Sequence, residues 1–225
     1  MENSSDSAKP AEPSIWPSNQ VISRWADTEI MFTQFTDLGE FFDDLMTTVM
    51  ARASDPALSH DFGAKDSLNA TKVYGVEKWQ TPASDLLNQR ALALFGRFAR
   101  NIRAEVDASW ASVYRQGNFV MPHSHPLSIA SVLFMLEPGG PTDNPGGQFL
   151  FVDPRLKPCC RQQPGFMSTP SAPTIKAGTM VMFPGKAVHM VTPYFGTEPR
   201  ITFSWDLKPA GTKKTAVPKQ MIRPK

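Results

Sequence analysis

Cysteine, histidine, tyrosine and net charge are all scarce in this chain. Its 225 residues hold two cysteines, four histidines and three tyrosines, and the formal net charge is +2. The cysteines, Cys159 and Cys160, are adjacent, and sequence neighbours rarely meet disulfide geometry. A disulfide framework is therefore excluded, and both thiols are expected to be free in the cytoplasm. Long apolar runs are missing as well. The longest, Ile129–Leu136, is interrupted by Ser131 and falls far short of the roughly 20 residues a membrane span needs. The opening "MENSSDSAKPAEPS" lacks the basic and apolar regions of a signal peptide, so the expected location is cytoplasmic.

The small net charge conceals an asymmetry. Between Gly211 and Lys225 stand Lys213, Lys214, Lys219, Arg223 and Lys225 with no acid. Without those five the charge is 2 − 5 = −3. A short basic tail without interleaved aromatics is too small a footprint for nucleic acid, so neither nucleic acid nor membrane is an expected partner.

What the chain does hold is proline and glycine, 21 and 14 residues, in a length suited to one domain with a real core. Residues 1–14 read as a disordered lead, 15–209 as a single domain and 210–225 as a basic flexible tail. Within the domain, helical support is expected over about 36–107 and a β-core over about 109–207. The first helix is expected from Asp37 to Ala53, capped by Thr36, with Leu38, Phe41, Phe42, Leu45 and Val49 on one face. The second is expected from Ser84 to Val106, with an apolar stripe through Leu87, Ala91, Leu94, Phe95, Phe98, Ile102 and Val106. Residues 54–83, with His60, read as irregular. From Ser109 onward short strands follow one another: "SWASVYR", "LSIASVLFML", "GGQFLFV", "PTIKA", "TMVMFP", "VHMVTPY" and "RITFSWDL", with turn residues between them. That rhythm predicts an antiparallel sandwich, jelly roll or barrel.

Two of the four histidines sit in "MPHSHP", residues 121–126. On a strand, residues i and i+2 share a face, so His123 and His125 would project together. A third histidine, His189 in "FPGKAVHMVTP", lies in another strand-like stretch. Three such ligands form one face of a metal's coordination shell and leave the opposite positions open. Eleven residues after His189, Arg200 opens "RITFSWDL" and shares a strand face with Thr202. An arginine fork beside a hydroxyl suits a carboxylate.

These segments, "YRQGNFVMPHSH", "AGTMVMFPGKAVH" and "RIT", resemble the non-haem iron(II), 2-oxoglutarate-dependent oxygenases. "HSHP" with "FLFVDPR" and "RITFSW" is similar to a group of small members with an H-x-H-P motif. The resemblance covers about residues 109–206 and implies a mainly β fold with supporting helices, a double-stranded β-helix of jelly-roll or cupin-like form. It implies Fe(II) on His123, His189 and His125, and 2-oxoglutarate on Arg200 and Thr202 with help from Tyr114. With O2 as the other co-substrate, the implied activity oxidises a small organic substrate, as in hydroxylation, and releases succinate and CO2. Most relatives carry Asp or Glu where this chain has His125. His125 then ligates iron, or it points away and leaves a position to an exogenous anion, or a carboxylate such as Asp153 completes the set. Trp110 reads as core. Arg155 faces substrate or forms a structural ion pair. Residues 54–83 and 153–172 are long enough to cover a pocket.

Two other classes compete. A cupin shares the spacing from Gly117 to His125 and has places for Gly178, Pro184 and His189. However, no acid lies in Pro126–Ala130, Pro193 stands where asparagine is expected, and a cupin has no need of Arg200. A non-catalytic β-sandwich binding module would carry its histidines as relics or as a zinc site.

Overall fold

A computed structural model of the chain describes residues 12–25, 28–61, 69–99, 101–140, 146–153, 155 and 172–212. Most of the expected lead and of the basic tail, Cys159, Cys160 and most of the segment 153–172 lie outside these residues. The strands are β1 (Ser23–Arg24), β2 (Met31–Gln34), β3 (Ser59–Asp61), β4 (Thr71–Tyr74), β5 (Ala104–Tyr114), β6 (Val120–His123), β7 (Ala130–Glu137), β8 (Phe149–Phe151), β9 (Thr179–Pro184), β10 (His189–Val191) and β11 (Arg200–Pro209). Two helices, α1 (Glu40–Ala53) and α2 (Pro82–Phe98), precede β5. An eight-stranded sheet runs β1-β2-β9-β7-β11-β5-β4-β3, and a three-stranded sheet runs β6-β10-β8. Every pairing is antiparallel. The two sheets face each other in the jelly-roll manner expected.

Strand alternation divides the large sheet between two cores. Ile201, Phe203, Trp205 and Leu207 of β11, Val132, Phe134 and Leu136 of β7, and Met180 and Met182 of β9 pack with both helices. Their neighbours Leu133, Val181 and Phe183 turn the other way and pack against Phe149, Phe151 and Val191 of the small sheet. Trp205 is fully buried, and its indole N–H donates to Asn88 Oδ1 of α2 at 2.7 Å. Burying such a side chain stabilises the fold by about 1.5–3 kcal/mol and holds the helical layer on the sheet.

The helix boundaries differ from expectation. α1 begins three residues late, at Glu40, after Gly39 with φ 47° and no side-chain cap. Thr36 does not cap it. Asp37 is instead gripped by Arg90 of α2, with Nη1–Oδ1 at 2.9 Å and Nη2–Oδ2 at 2.6 Å. α2 starts slightly early because Thr81 and Ser84 form a capping box and Pro82 occupies the first turn. It stops at Phe98, leaving Ile102 half exposed and placing Val106 in β5 opposite Leu207. The ten-residue pairing of β5 with β11 outweighs the helical stripe continuing past Phe98.

The stretch 54–83 is not irregular throughout. It supplies β3, β4 and a 3-10 turn at Val76–Lys78, and β4 pairs with β5 from Thr71↔Val113 to Tyr74↔Trp110. "PTIKA" forms no strand, although Ile175 packs on the second core. β1 and β2 were not expected. Among the described residues, no helix is long and apolar enough to cross a membrane.

Candidate metal and co-substrate site

The inward face of the large sheet is polar where the small sheet covers it. Lys72, Ser112, Ser131, Thr202 and Ser204 line a cavity together with Tyr114, Trp110, His123, His125 and His189. The small sheet delivers two of the histidines: His123 ends β6 and lies directly opposite His189 of β10. His125 stands two residues beyond β6, past the strand end rather than on it. It reaches the other two because its backbone N–H donates to Gly185 O at 2.6 Å and its ring stacks on Trp110, 5.6 Å between centroids.

One ring nitrogen from each histidine lies within 4.8 Å of the others. The remaining nitrogens are engaged: Nδ1 of His123 with Met121 O at 2.9 Å, Nδ1 of His189 with Ala187 O at 2.9 Å, and Nδ1 of His125 with Asp206 Oδ2 at 2.9 Å. Carbonyl and carboxylate oxygens only accept, so each Nδ1 carries a hydrogen and Nε2 is the nitrogen left to meet a metal. Burial lowers the pKa of His189 to about 3 and, less strongly, that of His123. Neutral rings with Nε2 available are what a divalent transition metal requires.

Asp153 stands outside this group. Its buried carboxylate accepts from Arg155 Nε at 2.8 Å and from the backbone N–H of Val188 at 3.1 Å. Arg155 holds the Asp153 pKa down at about 2. The pair ties the end of β8 to the approach to β10, and among the described residues Asp153 is not part of the convergent group formed by the three histidines. Trp110 is buried, as expected of a core residue, and also forms a wall of the site.

Arg200 is 1% exposed. Its guanidinium lies over the Tyr114 ring, 4.7 Å from the centroid, and its Nη1 has no hydrogen-bond partner among the described residues. Burial pushes its pKa down, opposed by Tyr114. A buried cation without a carboxylate among the described residues costs free energy unless an anion completes it. Thr202, one step along the same face, lines the histidine cavity with Tyr114. The donors thus fit a divalent metal at the histidines and a carboxylate at Arg200.

The sequence reading missed Lys72 and Asp206. Lys72 lies over Trp110 at 4.9 Å, and burial lowers its pKa against the charge of Asp206. Asp206 continues the period-two row Arg200, Thr202, Ser204, which was the available signal. Lys72 belongs to a strand with no histidine or glycine signature to mark it.

Gly185 marks a further constraint. A Cβ there would approach Ser128 O and lie 2.6 Å from His125 O. Gly185→Ala is expected to cost about 1–3 kcal/mol and to weaken metal binding by displacing His125. Thermal unfolding of the apo protein and a metal titration will measure both, and unchanged affinity would show that this contact does not position the ring.

Comparison with known proteins agrees with this geometry. Residues 108–206 match the family described as "Putative 2OG-Fe(II) oxygenase". No curated protein sequence matches the chain. Among solved structures, the epimerase SnoN in complex with Fe3+, alpha ketoglutarate and nogalamycin RO is similar at TM-score 0.63 and 15% identity, covering 81% of this chain and 80% of its own. HygX from Streptomyces hygroscopicus, with nickel and 2-oxoglutarate bound, gives 0.60 and 12%, covering 83% and 85%. A Pseudomonas putida prolyl-4-hydroxylase gives 0.55 and 15%, covering 83% and 90%. At such identities the structural likeness speaks for the shared double-stranded β-helix. The family match runs from Ala108 in β5 to Asp206 in β11 and contains the three histidines and Arg200, so the stretch that carries the site is the stretch similar to the 2OG-Fe(II) oxygenases.

Proposed function

We propose that the three histidines and Arg200 are the two halves of one catalytic site, which hydroxylates or otherwise oxidises a small organic substrate. The observation that carries this reading is the buried Arg200 Nη1, which has no hydrogen-bond partner among the described residues and stands against Tyr114, a wall of the cavity that holds three convergent imidazoles. His123, His125 and His189 would hold Fe(II) through Nε2. Arg200 and Thr202 would hold the far carboxylate of 2-oxoglutarate, with Tyr114 supporting the guanidinium from below. When bound, iron, 2-oxoglutarate and O2 supply the oxidant, with release of succinate and CO2.

The chain's own residues bind, orient and exclude water. Phe149 and Phe183 pack on the His189 ring at 5.4 and 4.8 Å and keep water from that side. The acceptors at each Nδ1 fix the ring planes and tautomers. The hydroxyls of Ser112 and Ser204 and the amine of Lys72 line the space left for substrate.

The test is anaerobic addition of 2-oxoglutarate to the Fe(II)-loaded protein, followed by admission of O2. A change in the visible spectrum and then succinate formation are expected. Iron binding without either response would sink the reading in favour of a metal β-barrel that does not use 2-oxoglutarate.

A further inference from the structure

We propose that Asp206 is a positioning residue for the metal, supplying through His125 the negative charge that a directly ligating carboxylate would otherwise bring. The inference rests on the ligand assignment above. Three imidazole ligands would bring a divalent cation no negative charge, and the metal would gain from an anion close by. Asp206 provides one at a single ring's remove. Its Oδ2 lies 2.9 Å from His125 Nδ1, and its Oδ1 accepts from Ser131 Oγ at 2.8 Å.

Neither contact is a surface accident. The side chains of His125 and Asp206 are 16% and 13% exposed. Asp206 is held between two neighbouring strands, opposite Ala108 of β5 and Ser131 of β7. The Ser131 hydroxyl uses one carboxylate oxygen and so aims the other at the imidazole. Trp110 stacks on the same imidazole at an interplanar angle of 25°, fixing the ring about the remaining axis. A carboxylate that accepts from the far nitrogen of a ligating imidazole orients the ring and makes the near nitrogen a stronger donor. Among the described residues, His123 and His189 meet backbone carbonyls at that position, whereas His125 meets a carboxylate. In this reading the carboxylate usual in the family has moved outward by one residue's reach, from the second motif position to β11.

The experiment titrates Co(II) into the apo protein and follows visible absorption, comparing Asp206→Asn with the unaltered chain. Asparagine keeps the size and an acceptor but removes the charge. The expected result is a roughly 10- to 100-fold weaker Co(II) affinity with the apo melting temperature preserved. A second background separates charge supply from plain structure. When His125→Asp places a carboxylate on the metal directly, adding Asp206→Asn should cause no loss, because two carboxylates then face each other across the old contact. Equal affinity of Asp206→Asn and the unaltered chain overturns the proposal, as does the same loss in both backgrounds. If the unaltered chain takes up no Co(II), the ligand assignment itself falls and this inference with it. Should Asp206→Asn fail to fold, Ser131→Ala takes its place, with a few-fold weaker affinity expected and unchanged affinity overturning the idea.

Discussion

Replacing His189 with alanine is expected to leave the protein without stoichiometric iron and to abolish succinate formation. His189 is the most buried of the three histidines, at 5% exposure. β10 pairs with β6 on one side and β8 on the other, so its backbone is fixed on both edges. Phe149, Phe183 and the other two histidines surround the ring, so the ligand position is filled from packed, ring-bearing side chains. Losing an outer partner of a metal ligand costs about 10- to 100-fold in affinity, and losing the ligand itself should cost well beyond that. Metal analysis after gel filtration checks the outcome, with circular dichroism to confirm the fold. Retained stoichiometric iron would remove His189 from the ligand set.

Arg200→Ala should act on the other half of the site. The apparent KM for 2-oxoglutarate is expected to rise at least 30-fold while Fe(II) affinity stays within a few-fold. The magnitude follows from truncating one partner of a buried charge pair, about 2–5 kcal/mol, which is roughly 30-fold or more in a binding constant. Arg200 has no carboxylate partner among the described residues and stacks on Tyr114, so its loss breaks no ion pair of the fold. Arg200→Lys should fall between, keeping the charge but losing the two-pronged donor geometry. Steady-state kinetics at varied 2-oxoglutarate, with a separate Fe(II) titration, distinguish the cases. An unchanged KM would place the co-substrate elsewhere.

Much of this was legible because strands impose a period of two. Arg200, Thr202 and, unnoticed, Ser204 and Asp206 fall on one face of "RITFSWDL", while Ile201, Phe203, Trp205 and Leu207 fall on the other. The spacing of His123 and His125 suggested a shared site, but for a reason that holds only in part. β6 ends at His123, and His125 points inward because Gly185 and Asp206 hold it there. Those partners lie 60 and 81 residues away along the chain, beyond the reach of any local pattern. Lys72 was illegible for a similar reason: only the pairing of β4 with β5 carries it to the cavity.

The sequence by itself determined the alternation of strands, the two helices, the three histidines and the arginine, since each depends on local period, composition or spacing. Tertiary structure decided where the helices begin and end, through the Arg90–Asp37 grip and the length of the β5–β11 pairing. It also decided that His125 joins the other histidines, that Asp153 does not, and that Asp206 backs His125. The division has one physical cause. Side-chain direction along a strand is set by covalent geometry within a few residues, whereas the partner of a polar atom is set by which distant strands the fold lays side by side.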